Sequence, residues 1–157
     1  LLTAGTASHV PTKLFEGVLA SNSAHKLWTQ RQLTELLGDV KGKTVAILGL
    51  TYKPGTNTLR RSSAVETCRW LIEHEARVQA FDPAIHELPE DLRAIHLAPS
   101  AETALKGADA ALIATAWPEF KLLPAELFEQ TVLDPARYLE SNLCNVASGY
   151  YSIGVAR

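Results

Sequence analysis

The feature that most constrains this chain is the run TVAILGL at residues 44–50. A stretch this short and this uniformly apolar, rich in β-branched side chains and closed by Gly-Leu, fits a strand covered on both faces inside a parallel sheet. Related pieces recur downstream: RVQAFD at 77–82, a weaker RAIHLA at 93–98, AALIAT at 110–115 and TVLD at 131–134. Between them the apolar residues move to helical spacing. Val65, Cys68, Leu71 and Ile72 form the stripe of a helix over 62–74, and further helices are expected near 100–106 and 124–130. Ser100 is a candidate cap for the second helix, although Thr103 stands where a capping box uses Glu or Gln. Strands alternating with helices build right-handed βαβ units. The fold class expected is therefore α/β, a Rossmann-like open parallel sheet with helices on both faces. The apolar piece YYSIGV closes the chain.

Upstream, Leu14, Val18, Leu19, Leu27, Trp28, Leu33, Leu36 and Leu37 recur mostly at helical spacing, with Ser21, Asn22 and Ser23 as an interruption and Gly38 and Gly42 as stops. Two parts are expected: a helical lead-in over 1–40 and a Rossmann-like domain over 41–157.

Composition removes several classes of function. A formal net charge of −2 with scattered Lys and Arg gives no duplex-binding face and no polybasic membrane patch, so neither nucleic acid nor membrane is an expected partner. No apolar run approaches the roughly 20 residues that cross a bilayer. The opening LLTAGTASHVPTK lacks the charged start of a signal peptide. Cys68 and Cys144, like the five histidines, lack ligand spacing, which argues against a metal site and a disulfide framework and suits a reducing cytoplasm. The absence of methionine suggests a segment taken from a longer protein.

In open parallel sheets ligands bind beyond the carboxyl ends of the strands, where strand order reverses. There the sequence places Thr51, Tyr52, Lys53, Arg60 and Arg61 after the first strand, Asp82 after the second, Trp117 beyond Thr115, and Asp134 with Arg137 after TVLD. Cations beside aromatic faces suit a nucleotide or another phosphorylated ligand. The loop GLTYKPG is neither GxGxxG nor a Walker A loop. From the residues alone, this loop is either a phosphate-binding turn or a plain bend with solvated arginines. Asp82 either reaches a ribose or opens the Asp-Pro turn; Trp117 either covers the ligand or packs on the sheet end. Asp134 is expected to order its loop, and Cys68, on the apolar side of a helix, to be structural.

The stretch KTVAILGLTYKPGTNTLRRSSAVE resembles the signature that opens the C-terminal, UDP-binding domain of the UDP-glucose/GDP-mannose dehydrogenase family, G-L-x-[FY]-K-x-x-T-x-D-x-R-x-S. FDP at 81–83, GADAALIATAWPEF at 107–120, VLDPARYL at 132–139 and a closing aromatic segment with Ile153-Gly154 are similar to the family in the same order. The resemblance implies a sugar-nucleotide 6-dehydrogenase of the UDP-glucose to UDP-glucuronate type, serving polysaccharide biosynthesis in the cytoplasm. In such enzymes an N-terminal domain holds NAD, a central helix makes a homodimer, and the C-terminal domain grips the UDP-sugar. Carried over by position, Tyr52 and Lys53 match the aromatic-Lys pair that contacts the sugar nucleotide. Arg60 matches the arginine that reaches towards NAD, and Arg137 resembles the arginine that supports the nucleotide. Residues 14–38 would end the central helical region. Thr58 stands where the family has Asp, and DPAR replaces the commoner D-G-R-N. No counterpart of the family's GxC segment is present, so no catalytic residue is expected here and the chain alone should be inactive. A module that kept the fold without the enzyme is the rival reading.

Overall fold

The computed structural model describes residues 27–143, 145 and 148–156. Strand β1 (Thr44–Leu48) is buried along its whole length, as an apolar run without polar alternation requires. It lies between two parallel neighbours, β2 (Arg77–Phe81) and β4 (Ala110–Ile113), with Val45 level with Val78 on one side and Ala110 on the other. With β3 (His96–Leu97), β5 (Thr131–Leu133), β6 (Tyr150–Ser152) and β7 (Val155–Ala156), the order is β3-β2-β1-β4-β5-β6-β7. The chain first builds outward from β1 to β3, then returns to β4 on the other side of β1. Strand order thus reverses between β1 and β4, which opens a crevice above their carboxyl ends.

Period-two alternation divides the core. Leu33 of helix α1 (Trp28–Leu37) and Ala64, Val65, Cys68 and Leu71 of helix α2 (Ser63–Glu73) form one cluster with Val45, Ile47, Val78, Ala80 and Leu112. Ala46, Leu48, Ala111 and Ile113 face the other way, onto α3 (Ala101–Leu105) and the buried rings of Phe120, Phe128 and Tyr150. A last short helix, α4 (Glu140–Leu143), buries Leu143 against that second cluster. The Rossmann-like sheet with helices on both faces is the architecture expected, and α1 falls within the residues where a helical lead-in was expected. The rest of that lead-in, with the interruption at 21–23, and Cys144 lie outside the described residues.

Two local expectations are corrected. The helix over 124–130 is a single 3-10 turn, Ala125–Leu127, because Phe128 leaves helical dihedrals (φ −97°, ψ 62°) to bury its ring. The strand over 93–98 shrinks to His96–Leu97, since a 3-10 turn at Glu90–Leu92 comes first and Ile95 N–H bonds to Leu92 O at 3.0 Å. The closing piece YYSIGV forms a hairpin, with β6 parallel to β5 and β7 antiparallel to β6. Ser100 does cap α3: its Oγ accepts the Thr103 N–H at 3.2 Å and lies 3.1 Å from the Thr103 hydroxyl, so a threonine completes the cap.

The closest packing in the crevice is between Gly49, just past β1, and Thr115, just past β4. A Cβ built on Gly49 would lie 2.5 Å from Thr115 Cβ and 2.8 Å from Thr115 N, and the glycine has φ +92°. Gly49→Ala therefore meets both a left-handed backbone and a backbone obstacle. Its expected effect is a loss of about 3 kcal/mol or more, read as a lower denaturant midpoint in chemical unfolding.

Candidate functional site

Everything at the crevice follows from where the strands stop. β1 delivers Gly49, Leu50 and Thr51, β2 delivers Asp82, β4 delivers Thr115 and Trp117, and β5 delivers Asp134. Asp82 is 1% exposed, and a carboxylate so deeply buried persists only when its oxygens are filled with donors. Oδ2 accepts the backbone N–H groups of Leu50 (2.7 Å) and Thr51 (2.9 Å), the Thr51 hydroxyl (3.0 Å) and the Trp117 indole N–H (3.1 Å). Oδ1 accepts the Ala84 N–H at 2.9 Å, an Asx turn across Pro83. Of the two readings of Asp82 the turn is present, while Oδ2 is already saturated and leaves nothing for a ribose hydroxyl. Trp117 is buried with its indole on that carboxylate, so it packs at the sheet end. The Thr115 hydroxyl donates to Thr51 O at 2.7 Å and ties the same loop from the other side.

The loop itself is closed by its own backbone: Tyr52 N–H bonds to Thr58 O at 2.8 Å, and the Thr56 hydroxyl to Lys53 O at 2.9 Å. The backbone therefore closes the loop at the position where the family's carboxylate is replaced by Thr58. Between these ties the tip is exposed, with Tyr52 62% accessible. Lys53 and Arg60 are exposed, and their side chains make no hydrogen bond or ion pair among the described residues. Arg61 follows in the left-handed region (φ 62°) and leads into α2.

On β5, Asp134 is fully buried. Oδ1 accepts Tyr138 N–H at 3.0 Å, and Oδ2 accepts Leu139 N–H and the Tyr150 hydroxyl, both at 2.7 Å. It orders the loop, as the sequence suggested. That loop turns through Arg137, whose φ of 56° is a conformation Asn adopts more readily. Counting from Asp134, the D-G-R-N pattern puts Asn at this position. The Arg137 guanidinium donates from Nη2 to Ile153 O at 3.0 Å, bridging to the β6–β7 turn. Pro135 and Ala136 of this loop share a cleft of about 260 Å³ with Thr29, Ser63, Thr67 and Ala114. The fold thus joins the loop before Arg137 to the start of α2. It makes no direct bond among Tyr52, Lys53, Arg60 and Arg137.

Another cavity, of about 500 Å³, opens at the opposite, amino-terminal edge of the sheet, between Glu102, Lys106, Asp109, Glu126 and Glu129. Its acidic lining suits no phosphate, so the site is assigned to the carboxyl edge. Cys68 is fully buried on α2, and burial pushes its thiol up to about 12, the opposite of a reactive thiolate. Among the described residues no cluster of His, Cys, Asp and Glu could hold a metal, and no helix is long and apolar enough to cross a membrane. Sequence reasoning missed the Asp82 clamp, the Thr115 tie and the Tyr150–Asp134 bond. The signals were faint: a small residue directly after β1 and β4, an aspartate directly after β2 and β5, and a tyrosine at the head of the closing piece.

A doubly wound sheet with a fixed, cationic loop at its switch point defines a Rossmann-like ligand-binding domain. Residues 46–141 match the UDP binding domain of the UDP-glucose/GDP-mannose dehydrogenase family, and the chain belongs to that family. It is 34% identical over 162 residues to the UDP-glucose 6-dehydrogenase TuaD of Bacillus subtilis, covering 98% of this chain and 35% of that protein. It is 43% identical over 103 residues to the UDP-glucose 6-dehydrogenase AglM of Haloferax volcanii, covering 63% of this chain and 24% of the relative. A solved UDP-glucose dehydrogenase from Pyrobaculum islandicum superposes with a TM-score of 0.80 at 29% identity, over 95% of this chain and 34% of that one. The chain thus spans about a third of the length of such relatives.

Tyr150→Phe removes a hydroxyl that fills a buried carboxylate and leaves the ring in place. The expected loss is about 1–2 kcal/mol of stability, measured by urea unfolding, with no change in the far-ultraviolet circular dichroism.

Proposed function

We propose that this chain is the nucleotide-gripping part of an NAD-dependent UDP-sugar 6-dehydrogenase, which oxidises a UDP-glucose-type sugar at C6 to the uronate. The observation that carries this reading is the pair of exposed cations, Lys53 and Arg60, that have no counter-charge among the described residues, on a loop fixed at its inner foot. Such charges are available to a diphosphate, and holding them in place before binding reduces the entropy lost when the ligand arrives. In this reading Lys53 neutralises the diphosphate as a point charge, Tyr52 covers the sugar or base, and Arg137 supports the nucleotide from the β5 loop.

The crevice does not fit NAD as a resident cofactor. In dinucleotide cradles the backbone just past the first strand stays open for the pyrophosphate, whereas Thr115 packs onto Gly49. NAD would then belong to the preceding domain of the parent protein, with Arg60 reaching towards it. In the same reading the residues up to about 40 end the central helix of a parent homodimer, and the oxidation uses groups outside the described residues. The depth of Cys68, with its thiol held protonated, supports a chain that is inactive alone. Thr58, standing where the family carries a carboxylate, favours a second reading: a binding module that has lost the oxidation.

Calorimetric titration with UDP tests the first reading. Saturable binding is expected, weakened about tenfold by Lys53→Ala or Arg137→Ala, as the loss of a charge-assisted contact predicts. Equal affinity in all three proteins contradicts the assignment of the rim. Restoring Asp at position 58 separates the readings: tighter UDP binding is expected if the loop has decayed from the family pattern, and unchanged binding if the backbone tie suffices.

A further inference from the structure

The Asx turn at Pro83 uses only one oxygen of Asp82, the Oδ1 that accepts Ala84 N–H. Four donors nevertheless converge on the other oxygen, from residues 50, 51 and 117. That is twice what the lone pairs of one oxygen accept at full strength, and none of the four belongs to the turn. They come from the loops after β1 and β4, the two strands that flank the switch point. The excess of donors has a consistent geometry: Thr51 is held through its N–H and hydroxyl by Asp82 and through its carbonyl by Thr115. The next residue, Tyr52, is held by its N–H on Thr58 O. Beyond that point no hydrogen bond or ion pair among the described residues ties the side chains of Tyr52 and Lys53, which are exposed.

We infer that Asp82 is a positioning residue for ligand binding, which fixes Thr51 and Trp117 so that Tyr52 and Lys53 meet the nucleotide diphosphate already in place. Asp82 touches no ligand in this account, since its oxygens are occupied and it is buried. Its effect travels one residue along a backbone pinned on both sides, and the cation at the tip gains a defined position without an ion pair that a phosphate would have to displace. The inference rests on the nucleotide reading above for its ligand, though not for its geometry.

The test uses the full chain with two changes that each remove one donor and spare the carboxylate, Thr51→Val and Trp117→Phe, and one that keeps the hydroxyl, Thr51→Ser. UDP affinity and the exchange rate of the Tyr52 amide are measured on each, with thermal unfolding as the check on folding. Thr51→Val and Trp117→Phe are expected to weaken UDP about tenfold while still unfolding cooperatively, and Thr51→Ser to stay within about twofold of the parent chain. A purely structural role would lower the unfolding temperature without this split between valine and serine. Unchanged UDP affinity in both Thr51→Val and Trp117→Phe overturns the proposal; if Thr51→Val does not fold, Trp117→Phe alone decides. If the parent chain binds no UDP, it is the nucleotide reading that fails, and the amide decides the positioning role separately. Exchange at Tyr52 should quicken about tenfold or more in Thr51→Val, and an unaltered rate overturns it.

Discussion

A carboxylate without water is an expensive thing to bury, and the fold places two of them where its strands end. Asp82 gathers the loops after β1, β2 and β4 onto one group, and Asp134 gathers the β5 loop and the Tyr150 hydroxyl of β6 onto another. Each fixes the groups that donate to it, because a carboxylate out of water is tolerated only where donors converge on it. The carboxyl edge of the sheet is therefore held to one arrangement. The loops that carry exposed tyrosine, lysine and arginine inherit that definition.

This division of labour separates what holds the site from what the site offers. The holding groups are buried and paired: Asp82, Thr115, Trp117, Asp134 and Tyr150. The offered groups are exposed and, for Lys53 and Arg60, without a partner among the described residues. Arg137 belongs to both sets, since its guanidinium braces the β6–β7 turn while its loop borders the cleft beside α2. A domain built this way presents exposed cations and an aromatic ring on loops whose feet are fixed.

Much of the architecture was legible because burial writes itself into composition. TVAIL had to be covered on both faces, and the stripe Val65, Cys68, Leu71 had to meet it. Elements stabilised by single tertiary contacts were not legible. Phe128 breaks an expected helix to reach the core, and β7 exists through its pairing with β6, neither of which a local period reports. The site divided in the same way. The positions of Tyr52, Lys53, Arg60 and Arg137 after strands followed from the pattern, and the loop-ordering role of Asp134 was readable from its place. The convergence of residues 50, 51 and 117 on Asp82 was not, because bonds spanning 31 to 35 residues leave no local signature.

The proposed place for the ligand is the carboxyl edge, over the loops fixed by the two buried carboxylates. Nitrogen-15 resonances of the labelled chain, followed during addition of UDP, test it most directly. The account predicts shifts concentrated in residues 51–61 and 134–137, with the Trp117 indole also responding. Shifts confined to residues 102–109 and 126–130, around the acidic cavity at the opposite edge, would contradict it.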